Sequence, residues 1–151
     1  MSKTVNIRDI ENAGLMQEIF RQSQNEYPSE CCGLILRDEQ HQLTLLPCVN
    51  LQDEWHARDP VSFPRTSATA YSIDPRVIMD NESRMVCIYH SHPDHGAYFS
   101  DEDQLVAAPF GEPSFPNVSY LVVSVMQKEV AARKMYVWSD SAGRFVDDDQ
   151  S

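Results

Sequence analysis

Residues 89–103 read YHSHPDHGAYFSDED, so three of the chain's five histidines fall within six positions. The apolar run MVCIYHSH (85–92) that leads into them reads as a buried strand. On a strand, residues i and i+2 face the same side, so His90 and His92 can turn their imidazoles to one place. A metal ion is the chemistry that two such rings can share. The third ligand has to come from elsewhere, and Asp103 stands in the first turn of a helix expected over 100–108, after a connection long enough to fold back. Two histidine nitrogens and one carboxylate leave a fourth tetrahedral position open for water, the arrangement of a catalytic rather than a structural zinc. A metal held in this way lowers the pKa of that water and polarises a carbonyl. His95 is an alternative third ligand, although it sits with Gly96 in a turn. Ser100-x-x-Asp103 ahead of Leu105-Val106 also fits a capping box, with Asp in place of the usual Glu or Gln. One aspartate can both cap a helix and bind a metal. A hydrolase needs a base beside its water. Glu30, just before CCGLIL, is available, though by composition it is an ordinary loop carboxylate.

The elements that must position these residues follow from local patterns. Thr4 to Ile7 reads as a short first strand. Ile10, Ala13, Met16, Ile19 and Phe20 recur at helical spacing, predicting one helix from Asp9 to about Glu26, capped by Asp9 or Asn12 and ended by Pro28. CCGLILR (31–37) and QLTLLPCV (42–49) read as a hairpin joined by DEQH. Residues 50–70 and 109–117 read as irregular loops and are expected to wall a groove beside the motif. Asp74-Pro75 marks a cap and first helical position, so 75–82 is a short helix. VSYLVVSVM (118–126) and EVAARKMYVW (129–138) form a second hairpin around Gln127-Lys128. Helices mixed with strands adjacent in sequence give an α+β (mixed α/β) class.

The whole chain sets limits on partners. Its 151 residues suit one domain, taken as 1–145, followed by an acidic, disordered tail over 146–151. A net charge of −11 argues against nucleic acid or an anionic membrane as partner, since both need a basic surface. No apolar run has membrane-spanning length and MSKTVNIRD lacks a signal-peptide core, so the expected location is the cytoplasm. Cys31, Cys32, Cys48 and Cys87 include no C-x-x-C pair and lie in or beside apolar stretches, which makes them reduced, structural thiols. The adjacent Cys31-Cys32 pair leaves a nucleophile as a minor alternative.

Read together, His90-Ser91-His92-Pro93, then DHGAYF, then Ser100-x-x-Asp103 resembles the H-x-H-P-x6-S-x-x-D signature of the JAMM (MPN+) metallopeptidases. YPSECCGLIL (27–36) resembles the family's P-x-E-x-C-G segment, with Glu30 in the glutamate position. The resemblance covers roughly residues 4 to 140 and points to the compact prokaryotic single-domain type. It implies the MPN/JAMM (cytidine-deaminase-like) fold, a curved, mostly antiparallel sheet packed with helices. It implies one catalytic Zn2+ on His90, His92 and Asp103, with Glu30 as general base and Ser100 as an oxyanion donor. Pro93 would turn the chain away from the metal, and Gly33 would permit close packing near Glu30. The implied substrate is a peptide or isopeptide bond at the C-terminal Gly-Gly tail of a ubiquitin-like or sulfur-carrier protein. Sulfur-carrier processing is favoured over deconjugation by a bacterial ubiquitin-like system. Two other classes compete. A non-catalytic MPN scaffold would lack ligand residues that are all present here. A non-haem iron oxygenase uses two histidines and a carboxylate as H-x-D with a distant His, whereas this chain has H-x-H with a distant Asp.

Overall fold

In the computed structural model, which describes residues 4–148, the chain begins with α1 (Ile7–Asn12), α2 (Met16–Glu26), β1 (Cys32–Arg37) and β2 (Leu43–Cys48). It continues through α3 (Gln52–Arg58), α4 (Pro75–Asn81), a 3-10 turn (Glu82–Arg84), β3 (Met85–Pro93) and α5 (Asp101–Ala107). It closes with β4 (Ser119–Met126), β5 (Glu129–Ser139) and β6 (Arg144–Asp147). The strands of the described residues make one six-stranded sheet in the order β2-β1-β3-β4-β5-β6. Every pair is antiparallel except β3 with β4. The class is therefore α+β with a mostly antiparallel sheet, as the mixed pattern predicts. No helix among the described residues is long and apolar enough to cross a membrane.

Strand alternation divides the core into two layers. Ile35, Cys87, Tyr89, Leu121 and Val123 face one side, where Ile10, Met16 and Ile19 of α1 and α2 cover them. Leu34, Leu36, Ile88, Tyr120 and Val122 face the other, packed with Phe99, Ala107 and Phe145. The same period of two carries His90 and His92 onto the second face, following Ile88. β3 lies between β1 and β4 and is almost wholly buried. Its ladder aligns Cys32 with His90 on one side and His92 with Ser124 on the other.

Several expectations are corrected. Thr4 to Asn6 is not a strand: Asn6 caps α1 in a capping box with Asp9, and α1 starts at Ile7. The predicted single helix is two helices. Gly14 takes a left-handed backbone, φ 76°, and α1 closes with Gly14 N–H donating to Glu11 O and Leu15 N–H to Ile10 O. These are the two bonds of a Schellman stop, which glycine permits because it has no Cβ. Residues 50–70 are not wholly irregular, since α3 lies within them. β6 reaches Asp147 and so takes up Val146 and Asp147, the start of the expected tail, while 149–151 lie outside the described residues. The β4–β5 turn is where expected: Gln127 and Lys128 both have positive φ, as a two-residue hairpin turn requires.

Candidate metal centre

His90 and His92 arrive at the end of β3 with their Nε2 atoms 3.2 Å apart. Asp103 Oδ2 lies 3.2 Å from each of them. Three ligand atoms thus mark an equilateral triangle. An edge of that length is what three ligands about 2.0 Å from one tetrahedral cation would leave between them. All three side chains are buried. His95, the alternative ligand, is exposed and lies outside the group; its carbonyl accepts a hydrogen bond from the Ser124 hydroxyl.

Each ligand is oriented by a second contact. His92 Nδ1 is 2.9 Å from the Gly96 carbonyl, which can only accept, so Nδ1 carries the proton and the neutral ring leaves Nε2 free to ligate. His90 is held by its ring, which stacks on Tyr71 at a centroid distance of 4.5 Å. Tyr98 meets His92 edge-on at 5.2 Å. Asp103 is fixed by the helix cap: its N–H donates to Ser100 Oγ at 3.0 Å, and its Oδ2 accepts from the Ser100 N–H at 3.1 Å. The residue that completes the capping box also supplies the third corner of the triangle, so the cap does not exclude a ligand role for Asp103. Beyond Pro93 the chain turns at once, at Asp94 with φ 59°. Asp94 is tied down by the Tyr27 hydroxyl and the Gln127 N–H.

Glu30 stands at the entrance to β1, next to the same strand end. Cys31 N–H donates to Ser91 Oγ at 2.8 Å, and Ser91 N–H donates to Cys31 O at 3.1 Å. Glu30 itself is gripped by its backbone. Its N–H donates to Ser67 O at 2.7 Å and its carbonyl accepts from Asn50 Nδ2 at 2.9 Å. Asn50 also donates to Ala70 O and accepts from the N–H groups of Gln52 and Ser72. Asp53 fixes Ser67 in turn through its N–H and hydroxyl, both at 2.7 Å. The carboxylate end of Glu30 is left free: Oε1 is buried and has no hydrogen-bond partner. A buried polar oxygen without a partner is costly, and this one shares that condition with His90 Nδ1, so the donor set has room for a bound group.

The electrostatics agree with this division. Burial pushes the Glu30 carboxyl up to about 7, against the opposing pull of the His90 and His92 charges. Burial acts to raise Asp103 as well, but the facing His90 charge and the hydrogen bonds with both rings outweigh it and hold that carboxyl far below the usual range. For His92, burial lowers the pKa, yet the Asp103 and Gly96 hydrogen bonds raise it overall. The cysteines take no part. Cys31 and Cys32 are fully buried, and burial pushes the Cys31 thiol up to about 11, far from a reactive thiolate. Gly33 has a plain packing role, because a Cβ there would collide with the Tyr89 ring.

The expected site residues Glu30, His90, His92, Ser100 and Asp103 therefore gather at one end of the sheet. Of the two expected groove walls, 50–70 is there, through Asn50, Ser67 and Ala70. Segment 109–117 is not. Its Phe115, Pro116 and Asn117 line a cleft with Arg37, His41 and Met85 where β3 begins, because Ser119 pairs with Cys87 rather than with the histidines. Asn50, Asp53, Ser67 and Tyr71 were not signalled by the sequence.

A mixed sheet presenting two strand histidines and a capping aspartate as one triangle defines an α+β domain with a buried group that could hold a metal ion. The chain belongs to the prokaryotic homologs of the JAB domain, whose family profile matches residues 12–138. That family includes metallopeptidases, and it also has non-catalytic members. The fold is similar to the solution structure of a protein from Desulfitobacterium hafniense, at TM-score 0.58 and 23% identity over 88% of this chain and 84% of that one. It is also similar to a solution structure from Salinibacter ruber, at TM-score 0.55 and 21% identity over 89% of this chain and 85% of that one. Identities this low speak to fold alone. No curated protein matches the chain.

Proposed function

We propose that this protein is a zinc-dependent metallopeptidase that hydrolyses an amide bond at the C-terminal Gly-Gly tail of a ubiquitin-like or sulfur-carrier protein. The observation that carries the reading is the pairing of the 3.2 Å ligand triangle with the buried, unpartnered Glu30 oxygen. His90, His92 and Asp103 would hold the ion, and two nitrogens with one carboxylate suit zinc with an open position. When bound, the ion would polarise the scissile carbonyl and make water a nucleophile near neutral pH. Glu30, with its carboxyl near neutrality, accepts the proton of the attacking water and returns it to the departing amine. Ser100 Oγ already accepts the Asp103 N–H, so its own hydrogen is free to donate to the developing oxyanion.

Elemental analysis of the wild type beside His92→Ala tests the reading first. The expected result is about one zinc per chain in the wild type and little in the variant, as a three-ligand site requires. Cleavage of a Gly-Gly-tailed substrate by the zinc form then follows. Iron in place of zinc would favour an oxygenase, and no metal even after zinc is added back would leave a scaffold.

A further inference from the structure

We propose that Arg65 is a specificity residue that binds the free α-carboxylate of a single C-terminal amino acid, so that the site releases the last residue of a tail rather than opening a bond to a lysine side chain. This rests on the metallopeptidase reading and narrows its substrate. Arg65 belongs to the same backbone that positions the base. Its carbonyl accepts from Gln52 Nε2 at 2.9 Å, and two residues on, Ser67 O holds the Glu30 N–H at 2.7 Å. Its side chain reaches the opposite wall, where Nε lies 4.0 Å from Glu102 Oε2, beside the ligand Asp103. The Arg65 side chain therefore links the segment that holds the Glu30 backbone to the helix that carries Asp103.

The Arg65–Glu102 pair does not use up that cation. At 4.0 Å it is too long for a hydrogen bond, and the two side chains are 48% and 40% exposed. Exposed pairs of this kind contribute little, so the guanidinium can exchange Glu102 for a better-matched anion. Its planar donors fit a carboxylate in two parallel hydrogen bonds. In a chain of net charge −11, a half-exposed cation beside the helix that carries Asp103 offers an incoming anion its local attraction.

The leaving group's chemistry fixes which anion this is. In hydrolysis the water oxygen bonds to the glycine carbonyl carbon and the C–N bond breaks. The water's proton travels through Glu30 to the departing nitrogen. When the leaving group is an α-amino acid, one carbon separates that nitrogen from a carboxylate, which places the carboxylate close to Glu30. When it is a lysine side chain, four methylenes follow the nitrogen and no carboxylate is near.

The test uses the zinc-loaded Glu30→Gln protein and two hexapeptides ending in Gly-Gly-Ala, one a free acid and one a C-terminal amide, with binding measured by calorimetry. The free acid is expected to bind about tenfold tighter, the scale of one charge-assisted contact at a half-exposed site. Arg65→Ala in the same background is expected to abolish the preference while binding the amide unchanged, and Arg65→Glu to reverse it. Equal binding of the two peptides, or a preference that survives the loss of Arg65, overturns the proposal. Cleavage by the wild-type zinc form is scored separately. If the preference depends on Arg65 but neither peptide is cut, the peptidase reading fails while the carboxylate site stands.

Discussion

The ligand side and the base side of this site are built by different means. His90, His92 and Asp103 are aimed chiefly by patterns short in sequence, the alternation of one strand, a turn carbonyl at Gly96 and a helix cap at Ser100, with the Tyr71 ring added on His90 from outside them. Glu30 is placed by a polar network that reaches it from Asn50, 20 residues away, and from Ser67 beyond that. A site assembled in this way can lose its base without losing its ligand triangle. The ligand triangle is expected to tolerate changes in the 50–70 segment that the position of Glu30 does not.

The largest effect is expected from Asp103→Ala. It removes a ligand and half of a capping box, so metal content and turnover should both fall to background, with the residual helix loss read by thermal melting. Glu30→Gln comes next. It should keep metal and lower turnover by roughly 10²–10⁴-fold, the range for a lost general base.

The same variant has a signature in stability. The folded pKa of Glu30, about 7, lies above its ordinary value of 4.5. Its contribution to the metal-free fold is thus fully present below 4.5 and lost as pH rises through about 7. Metal-free Glu30→Gln should exceed the metal-free wild type by about 3 kcal/mol at pH 8 and by little at pH 4, as paired denaturant titrations would show. A constant difference across that range would mean that Glu30 is not held in a desolvated place.

Ser100→Ala should bind metal normally and slow turnover by roughly 10²–10³-fold, as for a missing oxyanion donor. A loss of about 1 kcal/mol in stability with turnover intact would reduce Ser100 to a helix cap. The smallest effect is expected from Asn50→Ala, which removes the partner of several part-buried backbone groups at a cost of about 1–3 kcal/mol. Turnover should drop by about tenfold with metal content unchanged. Loss of metal from Asn50→Ala would show that the two sides are not independent.

The same contrast explains what could be read from the amino-acid chain. The ligands were legible because a period of two and a four-residue cap are patterns within a few positions. Glu30 was legible only through its resemblance to a family motif, since its neighbours are those of any loop carboxylate. Asn50, Asp53 and Ser67 were not legible, because apart from the Gln52 N–H on Asn50 the partners named for them lie 14 residues away or farther and no short pattern encodes such pairing. The stop at Gly14 was available as an Ala-Gly-Leu signal but was overridden by apolar periodicity continuing through it. β6 was hidden by acidic composition, although Phe145 is buried against Tyr120 and Phe99. The misplacement of 109–117 came from the parallel β3–β4 pair, which carries the chain back to the far end of the sheet before β4 starts.

The central position of β3 has one more consequence. His90 and His92 are laddered to strands on both sides, and sliding either would disturb two rows of hydrogen bonds. Asp103 rides on a seven-residue helix that leads into the long return to β4. Two corners of the triangle thus inherit the stiffness of the sheet, while the third depends on one short helix that Gln104 pins to β6 through Phe145. A substitution that frees that pin would lengthen the two edges that meet at Asp103 and leave the His90–His92 edge as it is.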